Sequence, residues 1–392
     1  MQRIITVGLL LALCFGVAHA QPQSPLPAPT GSYAVGRTIF NWIDESRVDL
    51  LSAKGYREIP VWVWYPAAPA SAAQLAEWLP GLWGEIFAGL STPPGKEKYS
   101  VNTIRAHSFA DAPVATGQGK YPVILFAPGY GSGPGEYTSL IEDLVSRGYI
   151  VAGIVPTYFS QYTVFANGRV VGQLQVARDL PGVPREVANR PDATEPHLRL
   201  WVGDLRFALN QLEKLNAEAS SPLRGRLDFT RVGVLGHSFG ATAASQLAKQ
   251  DVRVHAAVTM DGSLMSDVFR DPRIPKPLLL MQSAMMQGKA ARNPQLKGRK
   301  PEEMLTLLRS AKPGYFMTIA GTMHSFASDM GMLPFAQPWP PIINTKPARA
   351  LAIARAYIAA FFDQSLLGKS SALLNGPSSD YSEVTFENNF DK

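Results

Sequence analysis

The chain has 392 residues, of which 46% are hydrophobic and 17% are charged, so a mainly disordered protein is excluded. This length allows one large domain or two ordinary ones. The formal net charge is +6 at pH 7, with basic and acidic residues mixed through most of the sequence. No nucleic-acid-binding motif accompanies this charge, so we expect no nucleic-acid partner.

The N-terminus has the pattern of an export signal. Arg3 provides a positive charge, residues 4–17 form an apolar run, and Ala18-His19-Ala20 matches a cleavage site with small residues. The run is too short to span a membrane comfortably. Cleavage after Ala20 would also remove Cys14, the only cysteine, and leave a protein without disulfides. We therefore expect an exported protein, either periplasmic or secreted.

The rest of the chain divides into three predicted regions. Residues 21–31 are rich in proline and predict a linker, because they offer no pattern that could bury a core. Residues 32–370 carry the periodic apolar patterns of a folded domain. Residues 371–392 are predicted to be a C-terminal tail.

Strands and helices alternate along the predicted domain. Apolar runs and period-two patterns predict strands at 59–65, 121–127, 149–155, 231–235, 254–260, 277–282 and 315–319. Helical spacing of apolar residues predicts helices at 140–147, 198–215, 239–249 and 348–362. This alternation is typical of an α/β fold, with one mostly parallel central sheet and helices on both faces.

Two insertions interrupt the alternation. The insertion 74–90 is apolar and contains Trp78 and Trp83, while the insertion 157–197 is mixed in composition. Each could form a lid over a site or contact an interface, or its side chains could simply pack on the domain. A separate basic segment is either a solvated loop or a patch for anionic surfaces or substrates. Its residues are Lys289, Arg292, Lys297, Arg299 and Lys300.

A nucleophile motif lies in the second half of the chain. Gly236-His237-Ser238-Phe239-Gly240 fits the G-x-S-x-G pattern, in which a strand turns sharply into a helix and lifts the serine oxygen out. Glycines at both ends relieve the crowding of this turn. The motif follows the predicted strand 231–235 and opens the predicted helix 239–249, which is its setting in the α/β-hydrolase fold. Ser238 is therefore the predicted nucleophile.

A serine nucleophile needs a base, and in this fold the chain order is serine, acid, histidine. Only His255 and His324 follow Ser238. His255 begins a predicted strand and so lies at the end of the sheet opposite to the catalytic loops. His324 lies in a loop of small residues after the last predicted strand, and we predict it as the base. Outside the export signal, the remaining histidines fail by position, since they adjoin the nucleophile or precede it: His237, His107 and His197.

The acid is predicted from the ends of strands. Asp261 directly follows the apolar strand 254–260, where functional residues of such sheets gather. The next strand ends at Ser283 without a carboxylate. We therefore predict Asp261 as the acid, with Asp267 as the main rival and Asp329 as a solvated loop residue.

An oxyanion hole requires two backbone N–H groups. One comes from the residue after the nucleophile, here Phe239, and the other from the loop after the third strand of the fold. In this chain that loop contains Gly129-Tyr130-Gly131, so we assign the second donor to Tyr130. The ring of Tyr130 could also form a wall for the substrate.

These motifs together resemble the platelet-activating factor acetylhydrolase family, within the wider group of dienelactone hydrolases and polyester hydrolases. The resembling segments are Asp44-Glu45-Ser46-Arg47, Val63-Trp64-Tyr65-Pro66, Pro128-Gly129-Tyr130-Gly131, the elbow, Asp261 and the His324 loop. The insertion 74–90 falls where that family carries an interface-associated helix. Ala241 stands where the family often has a second glycine, and Tyr130 is more similar to secreted polyester hydrolases and cutinases.

The resemblance implies a serine carboxylic-ester hydrolase that acts through an acyl-enzyme on a small-molecule ester. Two alternatives remain at this point. One is hydrolysis of lipids or polyesters at an interface, with transient contact through 74–90, and the other is a non-catalytic binding module on the same fold. We see no pattern for a metal or cofactor, and acyl transfer by a triad needs neither.

Overall fold

The computed structural model describes residues 24–49, 51, 55–117, 119–173, 195–262, 271, 273–285, 300–336 and 344–389. Several sequence predictions therefore lie outside the described residues. These are the export signal 1–20, residues 174–194 of the insertion 157–197, the rival acid Asp267, and the basic residues Lys289, Arg292, Lys297 and Arg299.

Within the described residues, ten strands form one sheet in the order β12-β11-β10-β9-β8-β4-β5-β2-β1-β3, and β6 and β7 form a separate hairpin. The strands are β1 (Ala34–Val48), β2 (Tyr56–Ala67), β3 (Ser108–Ala110), β4 (Tyr121–Ala127), β5 (Ile150–Ile154), β6 (Tyr162–Val164), β7 (Val170–Gly172), β8 (Leu227–His237), β9 (Val254–Met260), β10 (Leu278–Ser283), β11 (Gly314–Ile319) and β12 (Val384–Asn388).

The central strands are parallel and the outer ones are mainly antiparallel. Strands β5, β4, β8, β9, β10 and β11 run parallel to one another. β2 joins β5 and β1 in antiparallel pairs, and β12 pairs antiparallel with β11. Every residue of β4 is buried, as expected of a strand covered on both faces. The prediction of a mostly parallel α/β sheet is confirmed.

Helices cover both faces of this sheet. They are α1 (Leu82–Ser91), α2 (Thr138–Ser146), α3 (Glu195–Ala217), α4 (Phe239–Gln250), α5 (Lys300–Ser310) and α6 (Pro347–Leu367). One core cluster contains apolar residues of α1, α2 and α6, and a second contains those of α3, α4 and α5. α6 is long and apolar enough to cross a membrane by composition, but 67% of its apolar window is buried inside the protein. It is therefore a core helix of this fold.

The described part of the predicted linker, residues 24–31, packs against the domain, so the prediction of a linker is wrong there. Leu26 is only 3% exposed and belongs to a core cluster. The carbonyl oxygens of Pro27 and Ala28 accept hydrogen bonds from Arg355 at 2.9 and 3.0 Å. Thr30 donates to Asp143 from both its N–H and its hydroxyl. Proline has no N–H group, so a proline-rich segment leaves many of its carbonyl oxygens without backbone partners. Here buried donors of the domain bind these oxygens.

The predicted C-terminal tail is also part of the domain. Its strand β12 covers the edge of β11, and Val384 and Phe386 point into the core with 7% and 6% exposure. An uncovered β11 would present unpaired backbone groups at the edge of the sheet. The alternation of Val384, Thr385, Phe386 and Glu387 was a period-two signal that the sequence analysis missed.

The insertion 74–90 contributes both core and surface. Trp78 and Trp83 are 0% and 8% exposed, so both tryptophans pack on the domain. The indole N–H of Trp78 donates to the carbonyl of Gly135 at 2.8 Å. On α1, by contrast, Leu82 and Leu90 are 40% and 58% exposed. The tryptophans are therefore structural, and the exposed leucines are the part of this insertion that is free to contact something else.

Candidate active site

The elbow occupies the point where β8 ends and α4 begins. Ser238 lies between them with φ +54° and ψ −120°, a left-handed backbone that residues with a Cβ rarely adopt. A Cβ at Gly236 would lie 2.2 Å from the carbonyl oxygen of Gly240. One at Gly240 would lie 2.2 Å from the carbonyl oxygen of Pro128. The two glycines therefore permit the close approach of β8, α4 and the loop after β4.

The structure brings His324 to Ser238. The loop after β11 carries His324 back to the carboxyl end of the sheet, where its Nε2 lies 2.8 Å from Ser238 Oγ. This distance is that of a hydrogen bond. The His324 side chain is 36% exposed, so the pair is accessible from solvent.

Asp261 completes the arrangement from the end of β9. Its Oδ2 lies 3.0 Å from His324 Nδ1, on the far side of the ring from Ser238. The carboxylate is fully buried, and Ser283 donates to it twice, from its N–H to Oδ1 at 2.6 Å and from its hydroxyl to Oδ2 at 2.5 Å. The end of β10 therefore supplies donors to the acid of the neighbouring strand, a role of Ser283 that the sequence analysis missed.

The loop between β4 and α2 places Tyr130 beside the elbow. In the part of the chain that the structure describes, the backbone N–H groups of Tyr130 and Phe239 have no acceptor. The Tyr130 ring meets the Phe239 ring edge-on, with centroids 6.2 Å apart. Burial raises the pKa of Tyr130, so its phenol stays neutral. The two residues predicted to supply the oxyanion donors are therefore in contact through their rings, and their backbone N–H groups remain available to a ligand.

An aromatic cluster lies next to the elbow. The ring of Trp201 on α3 meets Phe239 edge-on at 5.1 Å, and Phe159 packs against Trp201 and Tyr130 with centroids 6.0 Å away in both cases. Phe159 comes from the insertion 157–197. This cluster was not predicted, because the sequence does not show which residues of an insertion turn towards the sheet.

His237, which the sequence excludes as the base because it adjoins the nucleophile, has its ring buried beneath the loop that carries His324. It is 4% exposed, and its centroid lies 4.7 Å from that of His324. The other rejected histidines have different surroundings. His255 lies at the start of β9, His107 is bound to the carbonyl of Leu26, and His197 packs on Phe159.

Asp329 is not the solvated residue that the sequence suggested. It is fully buried and accepts hydrogen bonds from the N–H of Ser139 and the indole of Trp78. Burial raises the pKa of Asp329 to about 7. The far end of the histidine loop is thus anchored to the N-terminus of α2, which explains why a carboxylate in this loop need not face solvent.

The chain is similar to known proteins along most of its length. The family described as platelet-activating factor acetylhydrolase, isoform II, matches residues 18–156 and 210–345. A probable 1-alkyl-2-acetylglycerophosphocholine esterase of Arthroderma benhamiae is 24% identical, over 94% of this chain and 96% of that protein. The platelet-activating factor acetylhydrolase of Cavia porcellus is 26% identical, over 68% of this chain and 62% of that protein.

A solved structure is also similar over nearly the whole chain. The ferulic acid esterase of Streptomyces cinnamoneus superposes with a TM-score of 0.72 and is 28% identical, covering 92% of this chain and 98% of the esterase. The α/β-hydrolase fold and the family resemblance drawn from the motifs are confirmed. The chain therefore belongs to the platelet-activating factor acetylhydrolase isoform II family, a family of carboxylic ester hydrolases.

Proposed function

We propose that this enzyme hydrolyses carboxylic esters through an acyl-enzyme on Ser238, with His324 as general base and then general acid and with Asp261 orienting the imidazole. One observation carries the proposal. Ser238 Oγ, His324 and Asp261 form a continuous chain of contacts of 2.8 and 3.0 Å at the carboxyl end of a parallel sheet. This is the chain of contacts that activates a serine for acyl transfer.

Acylation begins at Ser238 Oγ. His324 Nε2 takes the hydroxyl proton while the oxygen forms a bond to the carbonyl carbon of the ester. His324 Nδ1–H donates to Asp261, so the carboxylate holds the tautomer with a free Nε2 and stabilises the imidazolium that forms. Ser283 donates to both carboxylate oxygens and keeps them aimed at the ring.

The tetrahedral intermediate carries its negative charge on the former carbonyl oxygen. The N–H groups of Tyr130 and Phe239 bind this oxygen, and each such donor contributes about 3–4 kcal/mol in well-formed oxyanion holes. His324 then gives its proton to the alkoxide that leaves, and the bond to the alcohol breaks. Ser238 remains as its acyl ester.

Deacylation repeats these steps with water as the nucleophile. His324 Nε2 takes a proton from the water, whose oxygen attacks the acyl carbon to form a second tetrahedral intermediate. The bond from this carbon to Ser238 Oγ then breaks, His324 returns the proton to Oγ, and the carboxylic acid leaves. The 36% exposure of His324 gives this water a path to the base. The machinery needs no group beyond the side chains and amides already described.

The first test is loss of turnover on removal of the nucleophile. Ser238→Ala should lower kcat for a soluble acetate ester to within about 10³-fold of the uncatalysed rate. Ser220→Ala is the matched control, because this exposed serine precedes β8 at the opposite end of the sheet.

A second experiment treats the wild-type enzyme with an organophosphonate probe. Mass spectrometry should then find the label on Ser238. Full turnover by Ser238→Ala, or no label on Ser238, would refute the proposal and revive the binding-module alternative.

The names of the relatives suggest which esters to offer first. Acetyl esters of glycerophospholipids are the first class, because the relatives in Arthroderma benhamiae and Cavia porcellus are named for them, and ferulic acid esters are the second.

The exposed Leu82 and Leu90 favour a further candidate, hydrolysis at a lipid surface. In that case Leu82→Ser and Leu90→Ser should slow hydrolysis of vesicle-bound ester and leave soluble esters unaffected. If these variants hydrolyse vesicle-bound ester as fast as the wild-type enzyme does, this candidate is contradicted.

We also propose that residues 1–20 are removed during export. N-terminal sequencing of the exported protein should begin at Gln21. A protein that retains its first twenty residues would contradict this.

A further inference from the structure

His237 belongs to the elbow motif but has no part in the proposed triad. Both nitrogens of its buried ring are engaged. Nδ1 lies 2.8 Å from the hydroxyl of Tyr137, and Nε2 lies 2.7 Å from the backbone carbonyl oxygen of His324. The hydroxyl oxygen of Tyr137 also lies 3.4 Å from the backbone N of Gly129.

The partners define the direction of each hydrogen bond. A carbonyl oxygen can only accept, so His237 Nε2 carries the proton and donates to His324. Nδ1 is then unprotonated and accepts from the Tyr137 hydroxyl. The oxygen of that hydroxyl accepts the N–H of Gly129. A single hydrogen-bonded chain therefore runs from Gly129 through Tyr137 and His237 to the carbonyl of His324.

This chain joins the two loops that the proposed mechanism uses. Gly129 directly precedes Tyr130, the proposed oxyanion donor, and His324 is the proposed base. The contact is close, because a Cβ at Gly129 would lie 2.8 Å from His237 Nδ1. Tyr137 itself is 2% exposed and packs on Phe126 of β4, with ring centroids 4.9 Å apart. The link is thus anchored in the core.

Resting on the proposed function, we propose that His237 and Tyr137 are positioning residues that hold the His324 loop in register with the oxyanion loop. They keep His324 Nε2 within reach of Ser238 Oγ while the amide of Tyr130 faces the same point. Such register matters because a displacement of about 1 Å between reacting groups can lower a rate about 10²-fold. Neither side chain touches the reacting atoms in this role.

The surroundings keep His237 neutral, as this role requires. The pKa of His237 is lowered to about 4, mainly by burial and secondly by the charge of the neighbouring His324, while the hydrogen bond to the His324 carbonyl and the charge of Asp261 oppose the shift. Among the described residues, the titratable groups that face the ring are Tyr137, His324 and Asp261. Near neutral pH, His237 therefore does not compete with His324 for the proton of Ser238, and its Nδ1 stays free to accept from Tyr137.

The experiment compares three variants with soluble acetate ester as the substrate. His237→Leu replaces the imidazole with an apolar side chain of similar volume that has no donor, so kcat should fall about 10- to 100-fold with KM nearly unchanged. His237→Gln can place an N–H near the former Nε2, and should recover most of kcat. Tyr137→Phe removes only the hydroxyl and should lower kcat less than His237→Leu does. His255→Gln is the control, because this histidine lies at the opposite end of β9.

Nitrogen NMR of the histidine rings gives a readout that activity alone does not. In the wild-type enzyme, His237 should show the proton on Nε2 and remain neutral down to about pH 5, as its lowered pKa requires. In Tyr137→Phe, Nδ1 loses its donor, so His237 should titrate at higher pH. This measurement stands even if His237→Leu does not fold.

Two results would overturn the inference: His237→Leu with the kcat of the wild type, or a His237 proton found on Nδ1. Both are distinct from failure of the proposed function. If Ser238→Ala is inactive and His237→Leu is fully active, only the positioning role is lost. If Ser238→Ala is active, the triad itself is refuted.

Discussion

Ser238 has a left-handed backbone that costs on the order of 1–3 kcal/mol for a residue with a Cβ. The fold holds this conformation from both sides. Its N–H donates to the carbonyl of Met260 at 2.8 Å, and the first turn of α4 follows immediately. Asp261 has a φ of +49° and lies directly after Met260. Backbone strain is thus present at two of the three residues of the proposed triad, which is where strained residues tend to occur in enzymes.

Replacement of Asp261 by asparagine should lower kcat by about 10³- to 10⁴-fold. The amide is the same size but can donate to His324 Nδ1, which would put the imidazole proton on Nε2 and prevent it from accepting the Ser238 proton. Steady-state kinetics with a soluble ester measures the effect, and circular dichroism checks the fold. Asp228→Asn, at the start of β8, is the control and should keep the wild-type kcat. A kcat for Asp261→Asn equal to that of the wild type would contradict the role of the acid.

Single residues differ in how well the sequence predicts them. Ser238 was found from a local motif, and His324 and Asp261 from chain order and from their places after strands, and the structure brings all three together. Ser283 and Tyr137 were not found. Their roles arise from contacts with Asp261 and His237, 22 and 100 residues away in sequence, and no local pattern records such contacts.

At the level of elements, the alternation of strands and helices was predicted because each buried strand is a continuous apolar run and each helix has an apolar face. The ends of the chain were predicted less well. Residues 24–31 and β12 contain few apolar residues, so composition suggested a linker and a tail. Residues 24–31 cover part of a core cluster, and β12 covers the edge of β11.

The contribution of β12 can be measured at Phe386. This ring packs against Tyr315 of β11 and Tyr357 of α6, with centroids 5.9 and 5.7 Å away. Phe386→Ala should lower the free energy of unfolding by about 3 kcal/mol, because it leaves a cavity between the last strand and α6. Glu387→Ala, the exposed neighbour, should change it by less than about 0.5 kcal/mol. Denaturant unfolding measures both changes. Equal changes in the free energy of unfolding for the two variants would mean that β12 contributes little to stability.

At the scale of the whole molecule, the core contains ionisable groups as well as apolar ones. Glu142 and Asp329 are fully buried, and Arg37 and Arg355 are 4% and 6% exposed. Burial raises the pKa of both acids. Arg355 donates to the carbonyls of Pro27, Ala28 and Ser139, so this cluster joins the N-terminal segment, α2 and α6.

The raised pKa of Asp329 predicts how stability depends on pH. Between its ordinary value of 3.8 and its folded value of about 7, the folded protein holds a proton that the unfolded chain has released. This contribution to the free energy of unfolding is therefore complete below about pH 4 and is lost as pH rises to about 7. Glu136, whose pKa burial also raises to about 7, acts in the same direction.

Asp329→Asn cannot ionise and should show a smaller loss of stability between pH 5 and pH 8 than the wild type. Urea unfolding at the two pH values measures this difference. Asp380→Asn, an exposed position, should retain the wild-type pH dependence. An Asp329→Asn protein whose stability changes with pH as much as that of the wild type would show that Asp329 is ionised in the folded state throughout this range.

The sequence by itself determined the fold class, the elbow and the order of the proposed triad, because each of these depends on short-range spacing and on the direction of the chain along a parallel sheet. Only the tertiary structure decided which side chains support them. Three features depend on contacts between segments distant in sequence. They are the hydrogen bonds donated to Asp261, the link from Gly129 to His324, and the burial of Asp329. Such contacts form only when the strands and helices that carry these residues pack together, so their physical cause is the packing of the whole chain.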